Sequence, residues 1–367
     1  MSKSDNKKIL ISTGGTGGHI FPSLGLAESL KTKYNLEIVT DKRGLKYLSK
    51  HEKINIRTIN SDTIFKNNIF KSLIGIFKII SSFIFSLFSM IYSRPKLIVG
   101  MGGYSSFPVC IAGYCLRIPI LIYENNLLIG RANKILLPFA SKILVANKDI
   151  QGIKPNYNKK IFFVGYLIRN QILNLKKEIS QNSNNENLSI LIMGGSQSAK
   201  IFGEIIPPII VRCFQNGIKF KIYQQCLDYQ VNQIKKLYEK FKLEFELFSF
   251  SDNISKYYKA ADLAITRSGA SSLAELINLR IPFITIPLPS SADNHQFQNA
   301  NYFKQKGYCF LLEERFVTDK LFEILVDLKK KDEKKLFLIK ERMTEHSDKD
   351  TFHKIEELIE RILNEQS

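Results

Sequence analysis

Residues 8–30 read KILISTGGTGGHIFPSLGLAESL, and this stretch decides the fold class. The apolar run at 9–12 stops at a cluster of glycines, after which Leu24, Ala27 and Leu30 return at the spacing of one helix face. Strand, glycine loop, helix is the predicted unit. Short apolar runs repeat it at 37–40, 97–101, 120–123, 142–146 and 161–164, each separated by a helix-length segment. Strands alternating with helices predict a parallel sheet covered on both faces.

The plan begins again after QNSNNEN at 181–187, a polar stretch with nothing to bury. The run 188–193 ends in a second glycine loop, GGSQSAK, and 220–224, 244–248, 263–266 and 283–287 continue the series. A chain of 367 residues accommodates two domains of ordinary size. The prediction is an α/β protein with two Rossmann-like, doubly wound domains, 1–165 and 166–343, facing each other across a cleft. A helix at about 344–367 is expected to pack back on the first.

Hydrophobic residues at 44 % and charged residues at 24 % exclude wholesale disorder. A formal charge of +19 asks for an anionic partner: nucleic acid, phosphorylated metabolite or acidic membrane. Five cysteines without a CxxC pair indicate neither a disulfide framework nor a zinc site, and a reduced, cytosolic setting is expected. The four-residue apolar run after Lys7 and Lys8 is too short for a signal peptide.

The segment 69–94 stands apart. Lys71, Gly75, Lys78, Ser82, Ser86, Ser89 and Ser93 fall on one stripe of a helix whose remaining surface is Ile, Leu and Phe. Its uncharged stretch, 79–93, is short of the roughly 20 residues that span a bilayer, so spanning is disfavoured. No Asp or Glu occurs from Thr63 to Tyr123, whereas Lys66, Lys71, Lys78, Arg94, Lys96 and Arg117 do. Apolar surface beside positive charge suits the face of an anionic membrane. A buried, sheet-covering helix with snorkelling lysines fits the same residues.

The glycines of Gly14, Gly15, Gly17 and Gly18 let backbone N–H groups approach an anion at a helix N-terminus. GGTGG matches neither the dinucleotide fingerprint nor a P-loop, and a tight turn is the alternative. His19 follows directly and can accept a proton from a sugar hydroxyl. MGGYSSFP at 101–108 brings Gly102, Gly103 and Tyr104 to the same carboxyl edge of the sheet, and Glu124, Asn125 and Asn126 follow the next run there.

In the second half, GGSQS repeats the anion loop, and TRSGASSLAEL opens a helix with Ala270, Ser271 and Ser272 and carries Glu275 one turn in. A carboxylate there can accept from both hydroxyls of a ribose, or serve only the helix dipole. PLPSSADNHQFQNA reads as a sugar-recognition loop. The only DxD, Asp348-Lys349-Asp350, lies in a lysine-rich stretch, so helix N-termini rather than a metal are expected to meet a departing diphosphate.

GGTGGHIFP, MGGYSSFP, ENN with GRANK, GGSQSAK, RSGASSLAEL and ADNHQ occur in this order along nearly the whole chain. The set resembles the bacterial MurG family of GT-B glycosyltransferases. The resemblance implies inverting transfer of N-acetylglucosamine from UDP-N-acetylglucosamine to the MurNAc 4-hydroxyl of undecaprenyl-linked lipid I, giving lipid II for peptidoglycan synthesis. It needs no cofactor or metal. It implies His19 as base, Gly14, Gly15, Gly102, Gly103 and Tyr104 in acceptor and diphosphate loops, and Thr16, Gly17 and Gly18 at the donor. Asn126, Arg169 and Ser196 would meet the donor sugar and diphosphate, and Gln296, with His295 as a further candidate, the sugar hydroxyls. Ser251 and the turn of Ala270, Ser271, Ser272, Leu273, Ala274 and Glu275 would hold the nucleotide.

The family also sits peripherally on the cytoplasmic face of the plasma membrane through an apolar, basic patch of its N-terminal domain, with cell-wall synthesis proteins as possible partners. Three positions depart from its pattern: Tyr166-Leu167 where Asn-Pro is usual, and Ser198 and Phe107 where glycine is. The rival enzymes are other UDP-sugar GT-B proteins, a diacylglycerol glycosyltransferase or a 2-epimerase. A nucleic-acid binder is disfavoured because the basic residues are not interleaved with aromatics.

Overall fold

The computed structural model describes residues 7–15, 17–48, 54–61, 69–175, 188–249, 253–330 and 333–365, those at 69–73, 196–199, 330 and 333 by their backbone alone. The chain divides into two compact units, Met1–Arg169 with Asp348–Ser367, and Asn170–Ser347.

In the first unit β1 (Lys8–Ser12), α1 (Gly17–Leu30), β2 (Asn35–Thr40), α2 (Lys42–Leu48), β3 (Asn55–Thr58), α3 (Ile69–Ser93) and β4 (Leu97–Gly100) are followed by α4 (Ser106–Cys115), β5 (Ile120–Glu124), α5 (Arg131–Leu136), β6 (Lys142–Val145) and β7 (Ile161–Phe163). The strands form one parallel sheet in the order β3-β2-β1-β4-β5-β6-β7. The direction of winding reverses between β1 and β4, so the loops after those two strands diverge and leave room at the carboxyl edge. Leu10, Val39, Ile98, Ile122 and Ile143 project from one face into a core shared with α3 and α4.

The second unit opens with α6 (Asn170–Leu173) and repeats the scheme in β8 (Leu188–Met193), α7 (Gly195–Gln215), β9 (Phe220–Gln225), α8 (Asp228–Lys240), β10 (Glu244–Phe248), α9 (Ile254–Ala260) and β11 (Leu263–Thr266). Then come α10 (Ala270–Asn278), β12 (Phe283–Thr285), α11 (His295–Gln305), β13 (Cys309–Leu311), α12 (Val317–Lys330) and α13 (Glu333–Arg342). Its parallel sheet runs β10-β9-β8-β11-β12-β13, with the reversal between β8 and β11.

The final helix, α14 (Thr351–Asn364), belongs to the first unit. Phe352 lies on Gly25 of α1, where a Cβ would come within 3.3 Å of its ring. Glu356 pairs with Lys33. The turn 165–169 is held with this helix: Asp348 Oδ1 accepts from the Tyr166 amide at 2.8 Å, and Thr351 Oγ1 donates to the Val164 carbonyl at 3.1 Å. These bonds explain why 166–169 stay with the first unit and why the chain rejoins it at Asp348.

Helix α3 wears its polarity inside out. Gly75, Ile79, Ser82, Ser86 and Met90 face inward, and the Ser82 hydroxyl donates to the Asn60 carbonyl at 2.7 Å. Small residues on that stripe let the helix lie close over the sheet edge and α4. Phe77, Ile80, Ile84, Phe85, Phe88 and Tyr92 point out to solvent instead. By length and composition alone Ile74–Ser93 is apolar enough to cross a membrane. In this structure its inner stripe is committed to the core of the unit.

Candidate active site

Two glycine loops interlock at the carboxyl edge of the first sheet. A Cβ at Gly103 would fall 2.7 Å from the Gly14 carbonyl, and one at Gly14 would collide with the Ser105 hydroxyl. Gly15, Gly102 and Gly103 all have positive φ. The loops after β1 and β4 are therefore fixed against one another by contacts that only glycine permits.

His19 sits in the first turns of α1, half-buried, with its imidazole over the backbone of Gly102. A Cβ at that position would lie 2.9 Å from Cε1 and 3.0 Å from Nδ1. The local sequence explains how the helix tolerates Pro22. Proline has no N–H to offer the Gly18 carbonyl four residues back. That carbonyl accepts instead from the Asn125 side-chain amide at 2.9 Å, which ties the loop after β5 to the start of α1.

Glu124, buried at the end of β5, organises that loop. Its carboxylate accepts from the Asn126 backbone and side-chain amides at 3.0 and 2.9 Å, from the Gly130 amide at 2.8 Å and from Asn133 Nδ2 at 2.9 Å. Four neutral donors satisfy the buried charge without a cation. Asn126 is thereby held at the mouth of the unit. The Arg169 guanidinium lies 4.9 Å above the Phe21 ring on α1, and burial holds the Tyr123 phenol well above its usual pKa. As a permanent O–H, Tyr123 donates to the Gly165 carbonyl and accepts from the Leu167 amide at 2.9 Å. The Tyr166-Leu167 departure is thus accommodated by Tyr123 and Asp348.

Asp41, one residue past β2, is a site residue that motif reading passed over. It is almost wholly buried and accepts from the Gly15 amide at 3.2 Å, from Ser105 Oγ at 3.2 Å and from the Arg43 guanidinium at 2.7 Å. The Gly15 amide therefore serves the loop's own scaffold, and anion contacts fall to the amides that follow. The only sequence signal was an Asp at the carboxyl end of a run in a sheet of this kind.

In the second unit, Gly194 and Gly195 end β8, and Ser196 lies at the start of α7 with its backbone alone described. Helix α10 begins at Ala270 after Gly269, with no side chain capping it. An uncapped N-terminus presents amides to whatever anion arrives. Leu273 and Ala274 are fully buried, so any role they have toward a nucleotide runs through the backbone. Glu275 is also buried, and its Oε2 accepts from the Tyr258 hydroxyl at 2.8 Å.

Gln296 is a strut between loops. Its Oε1 accepts from the Leu288 amide at 2.9 Å and the Ser268 amide at 3.3 Å, joining the loops after β11 and β12. Arg267 braces the same junction: Nη1 donates to the Ile286 and Pro287 carbonyls at 3.2 and 3.1 Å, and Nη2 pairs with Glu314 at 2.5 Å. Asp293 and Asn294 adopt positive φ just before Gln296. Strained backbone of this kind persists where surrounding structure over-determines it.

Thr16 and Ser251 lie outside the described residues, as do the side chains of Ser196 and Ser198. The structure gathers Gly14, Gly15, Gly17, Gly18, His19, Gly102, Gly103, Tyr104 and Asn126 in the first unit. It gathers the Ala270–Asn278 helix start and Gln296 in the second. Phe107, the third departure, packs into the core beneath α3.

Comparison with known proteins agrees with this geometry. The model of the glycosyltransferase family 28 N-terminal domain matches residues 9–145, and that of the glycosyltransferase family 28 C-terminal domain matches 189–359. A protein of Pelagibacter ubique is 35 % identical over 98 % of this chain and 99 % of its own length. One of Rickettsia canadensis is 36 % identical over 93 % and 97 %. Both are named UDP-N-acetylglucosamine--N-acetylmuramyl-(pentapeptide) pyrophosphoryl-undecaprenol N-acetylglucosamine transferase. Among solved structures, Acinetobacter baumannii MurG superposes with a TM-score of 0.76 at 24 % identity, covering 97 % of this chain and 99 % of that one. The S. aureus MnaA–UDP complex superposes with 0.69 at 15 % identity, covering 98 % and 97 %. With both domain models matched in sequence order and relatives above 30 % identity along nearly their whole length, the chain belongs to glycosyltransferase family 28 and, within it, to the MurG family of GT-B enzymes.

Proposed function

We infer that this protein transfers N-acetylglucosamine from UDP-N-acetylglucosamine to the 4-hydroxyl of MurNAc in undecaprenyl-linked lipid I, with inversion, forming lipid II. Near-full-length identity to proteins named for that reaction carries the inference. A 2-epimerase shares the fold at low identity only, with 12 % for the Listeria monocytogenes example, and has no comparable claim.

In the reading we favour, the acceptor hydroxyl attacks the anomeric carbon in line, the bond to the UDP oxygen breaks, and the proton passes to the His19 imidazole. The departing diphosphate is met by amides of the glycine loops and of the α10 N-terminus, without a metal. Gly102 allows the imidazole its place, and Glu124 fixes Asn126 for the donor sugar. Glu275, with one oxygen held by Tyr258, turns toward the ribose.

General-base help is worth about 10² to 10⁴ in rate, so His19→Ala should lose that much turnover with UDP-sugar affinity kept. Full activity in this variant removes His19 from the mechanism. Glu275→Ala should weaken UDP binding in a titration, whereas an unchanged dissociation constant argues against the ribose contact. Turnover of a lipid I analogue should survive EDTA.

The outward face of α3, with Lys78, Arg94, Lys96 and Arg117 beside it, supports peripheral attachment to an anionic, cytoplasmic membrane face where a lipid-linked acceptor resides. Cell-wall synthesis proteins are the partners this location favours.

A further inference from the structure

Away from the glycine loops, at the amino ends of β1, β2 and β3, the first unit has a groove of about 560 Å³. That is the size of a small-molecule site. Its floor is Lys8, Glu37, Asn55 and Arg57, and its wall is Phe85, Phe88, Ser89, Tyr92 and Ser93 of α3. The floor residues follow from strand alternation. Lys8, Glu37 and Arg57 lie two residues before Leu10, Val39 and Ile59, which enter the core on the same face.

Glu37 is 4 % exposed in mid-strand, between Lys8 Nζ at 2.7 Å and Arg57 Nε at 2.9 Å. Neither ionic contact has the direction of a hydrogen bond, so Glu37 Oε2 and Arg57 Nε are buried without hydrogen-bond partners. The hydroxyl of Ser93 is a third such atom on the same groove. Buried polar atoms left unpaired are costly, and three on one groove indicate a polar guest. Two cations against one carboxylate leave the floor net positive. The Arg57 guanidinium also lies 5.8 Å from the Phe85 ring, where apolar wall begins. Phe85, Phe88 and Tyr92 are 51, 58 and 86 % exposed and continue into the outward face of α3.

We propose that this groove is a binding site for an anionic phospholipid, its phosphate held by Lys8 and Arg57, its glycerol oxygens near Ser89, Ser93 and Asn55, and an acyl chain laid along Phe85, Phe88 and Tyr92. The choice of a lipid rests on the membrane reading above. The chemistry of the groove, a cationic floor opening onto exposed aromatics, matches an anionic amphiphile better than a soluble anion or a neutral lipid.

The chain has no tryptophan, so Phe88→Trp introduces a single fluorophore on the groove wall, and Tyr92→Trp provides a second reporter should the first variant fold poorly. Titration with submicellar dihexanoyl-phosphatidylglycerol should give a saturable blue shift, absent with dihexanoyl-phosphatidylcholine and with inorganic phosphate. Adding Arg57→Gln should weaken the response about tenfold, the worth of one charge-assisted contact. An equal response to phosphatidylcholine, a response to inorganic phosphate alone, insensitivity to Arg57→Gln, or no saturation in either reporter each overturns the proposal. Sedimentation of the unmodified protein with phosphatidylcholine vesicles containing phosphatidylglycerol separates the two ideas. Vesicle binding without a groove response sinks the site and leaves membrane attachment standing. A groove response without vesicle binding does the reverse.

Discussion

A methyl group at position 102 has nowhere to go. Gly102 has a φ of +88°, and an added Cβ would press on the His19 imidazole from 2.9 Å. Gly102→Ala should therefore cost about 1–3 kcal/mol in urea unfolding, the range for strained backbone, and should lower turnover more than UDP affinity. A variant of unchanged kcat would show that the imidazole does not need this seat. Motif reading gave the glycines and the histidine but not their interlock, because contact between residues 83 positions apart in sequence exists only once β1 and β4 lie side by side. Asp41 was missed for the same reason. Nothing in TDKRG says that its carboxylate reaches back to Gly15.

At the scale of the element, α3 is the instructive case. Its spacing identified a stripe of small and polar residues, but a stripe alone does not say which side is buried. Packing put the serines in and the phenylalanines out, since only small side chains let the helix approach α4 and the sheet edge closely. Ile79→Ala on the inner stripe should cost about 2 kcal/mol or more, whereas Phe77→Ser outside should stay within about 0.5 kcal/mol by urea denaturation. Phe77→Ser should nonetheless weaken sedimentation with anionic vesicles. Reversed sensitivities would mean that the helix is turned about its axis. The strands β3 and β13 escaped the sequence because three or four residues mixing charge and apolar types have no period of their own. They are strands because a neighbour offers them a ladder.

For the molecule as a whole, the cysteines report how completely the two cores close. Four of the five are buried and Cys115 is exposed. Burial pushes the thiols of Cys110 and Cys213 up to about 12 and raises those of Cys226 and Cys309. Native protein should thus titrate one fast thiol with dithionitrobenzoate and five after denaturation. Because the folded state keeps these protons where the unfolded chain releases them, stability should fall as pH rises from the ordinary thiol value of 9.0 toward about 12. More than one fast thiol would mean that a core opens readily. The sequence by itself determined the alternation of strands and helices, the doubling of the plan and the glycine loops, because hydrophobic period and glycine content are local properties. Only the tertiary structure decided which carboxylate holds which loop, which face of α3 meets water and which charges share the groove beneath it, because those depend on distant segments meeting and on the burial that follows.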